Sequence, residues 1–294
     1  AFDTSPTYSG SFIPQLWSNK LNAKFFANTM MTDIANTSWE GEIKNQGDSI
    51  RIRTAPSITI NDYAGAGTTL SSEVPVPIFQ DLQINKGKYF SVQVNDVLAH
   101  QADMDLMNMF TDDAAKQLKI AIENECFFQW FVTEGAVAAN KGASAGALSA
   151  SYGLGTDTVP VNQATSGEML KMILRMSAAL DEQNVPEEGR WFLANPEFYE
   201  VLVQSSSKLL SVDFNAGQGS IRNGLVSTGK LRGFDMYKTN NIAATSNAAG
   251  QCVAGHMSAV ATAQTITSTE VIRDPDSFGD IVRGLHVYGA KVLR

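Results

Sequence analysis

The sequence lacks any apolar run near the ~18 residues that a membrane-spanning helix requires. Its first ten residues, AFDTSPTYSG, also lack the basic segment and the apolar segment of a secretory signal peptide. We therefore expect a protein that is made in the cytoplasm, stays soluble and has no membrane partner.

Cysteine and histidine are scarce, which limits the chemistry open to this chain. Cys126 and Cys252 share no metal or redox spacing, so free thiols in a reducing compartment are expected. The three histidines, His100, His256 and His286, lie in unrelated segments, and the motifs HExxH and CxxC do not occur. The sequence therefore predicts no cofactor, no metal site, no catalytic residue and no enzymatic activity.

Positive charge is also in deficit. The chain of 294 residues carries 22 Lys and Arg against 30 Asp and Glu, a net charge of −8. A protein that wraps DNA neutralises phosphates with basic side chains. A general DNA-binding function is therefore disfavoured.

An alternating pattern in the first quarter of the chain has no obvious partner strand nearby. Ile50 and Ile52 alternate with Arg51 and Arg53, the period-two pattern of a β-strand with one apolar face. The next long alternating run, KYFSVQV, begins only at Lys88. The residues in between must therefore explain what this strand pairs with.

Residues 54–87 predict a long two-stranded arm that reaches away from the core. Its tip, YAGAGTTLSSEVPVP, is rich in turn-forming residues, yet apolar residues alternate on both sides of it. A two-stranded ribbon is marginal on its own, so its exposed groups need the surface of a neighbouring subunit. For the two arginines, solvated surface charges are an equally good interpretation. The predicted contacts between subunits are Arg51, Arg53, Ile58, Ile60, Leu82 and Ile84.

The strongest helix signal runs from Asp103 to Glu134 and stops at Gly135. Apolar residues recur every four positions along it, so the apolar row drifts around the helix and meets different partners at the two ends. Residues 135–160, rich in Ala, Gly and Ser, predict a linker or an exposed excursion. Further helices are predicted at 18–34, 168–180 and 196–203, and further strands at 190–194, 234–239, 251–264 and 280–294.

Six segments, in order, resemble the major capsid proteins of tailed bacteriophages, the family with the Hong Kong 97-like fold. They cover most of the chain, and none is a catalytic motif. The segments are FIPQLWSNKL (12–21), WEGEIKNQGDSIRI (39–52), NVPEEGRWFLANPEFYEVLV (184–203), IRNGLVSTGKLRGFDMYKTNNI (221–242), AGHMSAVATAQ (254–264) and SFGDIVRGLHVYGAKVLR (277–294).

The resemblance implies an α+β fold with an N-arm, an extended β-hairpin loop, a peripheral domain with a long spine helix, and an axial domain. The implied division of the chain is 1–37 for the N-terminal arm and helix, 38–95 for the peripheral strands that flank the loop at about 54–87, 96–160 for the spine helix and linker, 161–250 for the axial domain, and 251–294 for the strands that return to the peripheral domain.

The implied function is the major capsid protein of a tailed double-stranded DNA phage, which self-assembles into hexamers and pentamers of an icosahedral shell. The implied partners are other copies of the chain, a separate scaffolding protein, a portal protein at one vertex and a decoration protein. The shell encloses double-stranded DNA without sequence-specific binding, is assembled in the host bacterial cytoplasm and becomes the virion capsid. The alternatives are an encapsulin-type nanocompartment that stores protein cargo, an enzyme with an unrecognised site, and an adhesin.

Overall fold

The computed structural model describes residues 27, 29–39, 49–63, 65, 72–96, 106–137, 139–156, 161, 166–203, 231–242 and 252–294. The described strands form three sheets, with the orders β1-β2, β3-β8-β7 and β5-β4-β6. Helices beside largely antiparallel sheets confirm the α+β class. The elements are α1 (Met31–Ile34), β1 (Ser49–Thr54), β2 (Ile78–Gln83), β3 (Lys86–Asn95), α2 (Leu106–Phe127), α3 (Ser166–Glu182), β4 (Arg190–Ala194), α4 (Pro196–Val203), β5 (Asp235–Lys238), β6 (Cys252–His256), β7 (Val260–Arg273) and β8 (Gly279–Val292).

The long helix and the sheet β3-β8-β7 form the peripheral part of the subunit. β8 is the middle strand, antiparallel to β3 on one side and to β7 on the other. The spine helix α2 packs on β3 and continues past Phe127 as a π-helical segment, Phe128–Glu134. It ends before Gly135, as the sequence predicts, and the predicted start at 103–105 lies outside the described residues.

The axial part of the subunit is the sheet β5-β4-β6 covered by two helices. β4 is the middle strand, and all five residues of its sequence RWFLA are buried, as a nearly continuous apolar run predicts. α3 turns Met169, Met172, Ile173 and Met176 towards this sheet at helical spacing. This apolar stripe explains why α3 forms and which side it buries.

Local hydrogen bonds fix the ends of these axial elements. Asn195 caps α4, because its side-chain oxygen accepts the backbone N–H of Phe198 at 3.1 Å, and Pro196 occupies the first helical position. The guanidinium of Arg190 is buried at the start of β4 and pairs with Asp181 of α3 at 2.8 Å. The start of α4 and the end of α3 are therefore both held next to β4.

One central core joins the peripheral and axial parts. It is formed by the C-terminal half of the spine helix, by β4 of the axial sheet and by β7 and β8 of the peripheral sheet. Its aromatic rings lie close together, with centroids of Phe131 and Trp191 6.0 Å apart. The buried members are Met31, Ile34, Ala35, Ile122, Cys126, Phe127, Trp130, Trp191, Leu193, Ile242, Val260 and Tyr288.

The single strand predicted over 251–264 is two strands in different sheets. β6 pairs with β4 in the axial sheet, and β7 pairs with β8 in the peripheral sheet. The turn Met257–Ala259 separates them, and the N–H of Met257 donates to the carbonyl of Gly189 at 3.1 Å. Residues 252–256 therefore belong to the axial sheet and β7 joins the peripheral sheet after this turn, because one continuous strand could not serve both sheets.

The stretch predicted as a linker over 135–160 is a folded loop in its described part. Two backbone hydrogen bonds close its base: the N–H of Gly142 donates to the carbonyl of Gly155 at 2.9 Å, and the N–H of Leu154 donates to the carbonyl of Gly142 at 3.0 Å. Positive φ angles of 86° at Gly142 and 109° at Gly146 allow the tight turns. The carboxylate of Glu182 accepts backbone N–H groups from the loop and fastens it to α3. Composition predicted the turns but not these closing bonds.

Of the helix predicted over 18–34, the structure describes the last turn, α1. Residues 1–26 and 28 lie outside the described residues. After α1, Asn36 pairs in parallel with Ala261 at the start of β7. Among the described helices, none has the length and apolar character needed to cross a membrane.

Candidate subunit interface

The predicted arm begins with an antiparallel pair, β1 and β2, which we call the arm foot. The two strands are in register over six residue pairs. Ile50 and Ile52 are half-buried and pack towards a small core beneath the foot. The strand without an obvious partner therefore pairs inside its own chain, and its outer edge has no strand partner among the described residues.

Leu82 and Ile84 fill the core of their own subunit. Both side chains are 0% exposed and pack with Ala261, Ala263 and Val287 of β7 and β8. Their predicted role as contacts between subunits is corrected, because no side-chain surface remains for a neighbour. Alternation correctly indicated an apolar face there, but it cannot show whether the same chain or another chain covers that face.

Arg51 has its partner within the chain. Its Nε and Nη2 donate to the two carboxylate oxygens of Asp81, directly opposite on β2, at 2.8 and 3.1 Å. The hydrogen bond from Arg51 holds the pKa of Asp81 below its usual value, and the guanidinium also lies 4.3 Å from the ring centre of Phe79. The Arg51 side chain remains largely exposed beside this cross-strand pair, so its contact with another subunit stays a prediction. Arg53 is exposed and has no ion pair within the described part of the chain.

Beyond the foot lies the distal arm, which we define as the described residues 55–63, 65 and 72–77. It contains no strand, so β-pairing stops earlier than the alternation at Ile58 and Ile60 predicts. Pro56, Pro75 and Pro77 explain this difference, because proline has no N–H to donate to a ladder. Among the described residues, one hydrogen bond joins the two sides of the distal arm: the N–H of Thr59 donates to the carboxylate of Glu73 at 2.9 Å.

The distal arm and the end of the foot expose an apolar surface, which we call the arm patch. Ile60 is 90% exposed and Val74 is 83% exposed, although both are strongly apolar. Several large exposed apolar side chains on one short segment are typical of a binding surface. The sequence prediction missed the side of the arm after the tip, although Val74, Val76 and Ile78 alternate with Pro75 and Pro77. The arm patch comprises Ile58, Ile60, Tyr63, Val74, Val76, Ile78 and Phe79.

An ionic cluster fastens β3, which follows the foot, to the spine helix. Nζ of Lys88 lies 2.7 Å and Nζ of Lys86 lies 3.4 Å from the carboxylate of Glu125, which also accepts a hydrogen bond from the hydroxyl of Tyr288 at 2.7 Å. Burial would raise the pKa of Glu125, but the bonds from Lys88 and Tyr288 and the charge of Lys86 lower it to about 2. The arm therefore leaves from an anchored base.

The described residues do not assemble a catalytic constellation at a cavity of about 470 Å³ between the π-helical segment, α3 and β6. Its described lining includes no Asp or Glu side chain. Both ring nitrogens of His256 are occupied there, one by Ser258 and the other by the carbonyl of Glu188. Within the described ranges, no group of His, Cys, Asp and Glu could hold a metal ion.

One serine motif occurs by letters alone. Residues 142–146, GASAG, match GxSxG, which serves catalysis only on a sharp strand-to-helix turn. Here the segment belongs to the closed loop fastened to Glu182, and no strand precedes it and no helix follows it directly. It therefore does not form a nucleophile elbow.

Comparison with known proteins gives a consistent result. A family model described as phage capsid protein matches residues 80–294. The structure is similar to that of Mycobacterium phage Che8, with 28% identity and a TM-score of 0.79, covering 98% of this chain and 96% of that chain. It is also similar to the capsid of the cyanophage P-SCSP1u, with 17% identity and a TM-score of 0.70 over 96% of this chain and 90% of that chain.

A third similar structure is the capsid of a native GTA particle, with 13% identity and a TM-score of 0.60 over 96% of this chain and 92% of that chain. No curated protein matches the chain. The family match spans well over half of the sequence and includes the spine helix and both larger sheets. The chain therefore belongs to the phage capsid protein family: it is a tailed-phage major capsid protein with the Hong Kong 97-like fold, a structural subunit of an icosahedral shell and not an enzyme.

Proposed function

We propose that this major capsid protein forms the hexamers and pentamers of its shell by laying the arm patch on an adjacent subunit. The observation that carries the proposal is the exposure of seven apolar side chains on one projecting arm. No residue of the described core reaches over them, so a second copy of the chain is the surface that covers them.

The energy available from the arm patch is large for one interface. Covering an exposed Ile, Val or Phe side chain contributes ~1.5–3 kcal/mol. Seven such groups give on the order of 10 kcal/mol per arm, before the costs of association are subtracted. Every subunit both donates an arm and receives one, so modest net contacts add up over a closed shell.

Within this proposal, three of the residues singled out in the sequence contact the neighbour: Ile58, Ile60 and Arg53. Ile58 and Ile60 supply apolar area, and their exposure supports that role. Arg53 lies on the exposed face of β1 beside the Arg51–Asp81 pair, where a carboxylate of the neighbour can reach it. We expect the two isoleucines to provide affinity and Arg53 to provide register.

We also propose the further partners that membership of the phage capsid protein family implies. A separate scaffolding protein directs assembly in the host cytoplasm, a portal protein occupies one vertex, and a decoration protein binds the outer surface. The net charge of −8 favours a shell that holds double-stranded DNA without binding it tightly. Particles purified from infected cells should contain nuclease-protected DNA. Particles filled with protein cargo and free of DNA would instead support an encapsulin-type compartment.

The arm proposal is tested with a charge placed on the patch. The double variant Ile58→Asp/Ile60→Asp buries two carboxylates if the arm docks, so we expect at least a tenfold lower yield of shells by sedimentation and negative-stain electron microscopy. The matched control Ser57→Asp/Asn61→Asp adds the same charge at exposed polar positions of the same arm and should assemble. Circular dichroism of the free subunits should be unchanged for both.

Shells of normal yield from Ile58→Asp/Ile60→Asp would show that the patch is not buried on assembly and would overturn the proposal. Equal loss in the control would mean that charge on the arm, not apolar contact, governs assembly, and this result would also contradict it.

A further inference from the structure

Glu123 of the spine helix is a carboxylate almost fully removed from water. Its residue is 1% exposed, deep in the C-terminal half of α2. An isolated buried carboxylate costs several kcal/mol, roughly, unless donors satisfy it. The next residue, Asn124, is exposed, so the same turn of the helix offers a solvent-facing position for a polar side chain. The burial of a charge at 123 therefore requires an explanation from its contacts.

The contacts of Glu123 come from two distant parts of the chain. One oxygen, Oε1, accepts the backbone N–H of Met30 at 2.6 Å, and the backbone N–H of Met31 also donates to the carboxylate. The other oxygen, Oε2, accepts the side-chain amide of Asn241 at 2.7 Å. These donors lie 93 and 118 residues away in sequence. One carboxylate therefore holds the start of α1, the spine helix and the end of the axial sheet together.

The contact with α1 supplies a cap that this helix lacks locally. Met30 and Met31 lie at the N-terminal end of α1, and the residue before that helix provides no side-chain cap. Glu123 therefore supplies the cap from another helix. On the axial side, Asn241 follows β5, and its backbone N–H donates to the hydroxyl of Thr239 at 3.1 Å. The side-chain amide of Asn241 is thus held in place to meet Glu123.

The ionisable groups around Glu123 are few. Asp33 of α1 is a like charge, and the Cys126 thiol lies one turn along the spine helix. The segment 239–242, TNNI, brings only neutral side chains. Burial raises the pKa of Glu123 above its usual value, while the bonds from Met30 and Asn241 lower it. The surroundings thus favour hydrogen-bond donors at this site and not a second carboxylate.

We propose that Glu123 is a positioning residue that couples the N-terminal arm and the axial part to the spine helix. It fixes the position of residue 30 relative to the spine helix. Through Asn241, it also fixes that position relative to the end of β5. The position of residue 30 and the position of the end of β5 are then linked through one carboxylate. The consequence for assembly rests on the proposed function, and the coupling itself does not.

The test reverses which of residues 123 and 241 donates the hydrogen bond between them and which accepts it. Asn241→Asp places two carboxylates against each other. They share a proton at low pH, and the raised pKa of the pair means that the contact is kept at pH 5 and lost as pH rises through that pKa. Adding Glu123→Gln restores a donor, because the new amide nitrogen faces the new carboxylate while the amide oxygen still accepts from Met30. Asp112→Asn is the matched control, since it also replaces a carboxylate by an amide, at an exposed position of the same helix.

The readout is hydrogen exchange of the Met30 and Met31 amides in the free subunit. After correction for intrinsic rates, we expect N241D to exchange at least tenfold faster than wild type at pH 8 and at the wild-type rate at pH 5. E123Q/N241D and D112N should match wild type at both pH values. Circular dichroism at pH 5 checks that every variant is folded.

Two results would overturn the proposal: wild-type protection of N241D at pH 8, or a double variant that is no better protected than N241D. Shell yield is scored separately at pH 8, where N241D should fall and the double variant should recover. If wild-type subunits form no shells, the proposed function fails, while the exchange rates still decide the role of Glu123.

Discussion

The middle axial strand β4 and the distal arm are both rich in apolar residues, yet one is buried and the other exposed. β4 has strands on both edges and packs its faces against the central core and against α3 and α4, so Trp191, Phe192 and Leu193 are at most 3% exposed. In the distal arm, Ile58 and Ile60 are at least 65% exposed, and no described element covers them. Apolar sequence therefore indicates burial, but only the available partners decide whether burial occurs within the subunit or between subunits.

The largest expected effect lies at Phe192, in the buried member of this pair. Its ring centroid is 5.3 Å from that of Phe198 and 6.1 Å from that of Phe234. Phe192→Ala leaves a cavity in the axial core, and we expect the free energy of unfolding to fall by about 3–5 kcal/mol in urea titrations of the free subunit. Phe278→Ala, the same truncation at a side chain that is 79% exposed, should change it by less than ~0.5 kcal/mol. A loss below ~1 kcal/mol at Phe192 would contradict the packing described.

The sequence predicted the buried elements better than the exposed ones. The bounds of β4 and α4 agree with the predicted 190–194 and 196–203, because an apolar run and a Pro-started helix are local signals. The break between β6 and β7 was missed, since both sides of Met257–Ala259 continue the same apolar composition. β7 pairs with β8 after a short turn, but β6 pairs with β4, which lies far earlier in the chain, and no local pattern shows that change of partner.

The paired foot of the arm was predicted more successfully than the burial of its individual residues. The proline-rich tip between two alternating runs indicated a projecting arm, and its foot is paired as a hairpin. Leu82 and Ile84 share the alternation of Ile58 and Ile60, yet they are buried because they pack against residues of β7 and β8. The partner of Arg51 is set by register, because Asp81 stands opposite it only in the observed pairing. Register between two strands is not readable from either strand alone.

An intermediate effect is expected where the base of the arm meets the core, at Glu125. Its pKa of about 2 is lower than the usual value, so its stabilising contribution is complete above about pH 4.5 and is lost as pH falls towards 2. Lowering the pH from 5 to 2.5 should therefore reduce the free energy of unfolding of the wild-type subunit more than that of the Glu125→Gln variant. The expected difference is only on the order of 1 kcal/mol, because solvent screens these partly exposed pairs. Urea titrations at the two pH values measure this difference, and Asp112→Asn, at an exposed position of the same helix, is the control that should follow wild type. Identical pH profiles for wild type and E125Q would show that the cluster does not stabilise the subunit.

The smallest effect on the free subunit is expected at Ile60, in the exposed member of the comparison. Ile60→Ala removes a side chain that touches little of its own chain, so the free energy of unfolding should change by less than ~0.5 kcal/mol. Ile84→Ala, the same truncation at a side chain that is 0% exposed, should cost about 2–5 kcal/mol. If a neighbour covers Ile60 in assembled shells, as we propose, the denaturant midpoint for shell dissociation should fall for I60A although its free subunit is unaffected. A midpoint equal to that of wild type would mean that Ile60 stays in solvent after assembly. Ile60 would then be an exposed apolar residue that the subunit tolerates, and not a subunit contact.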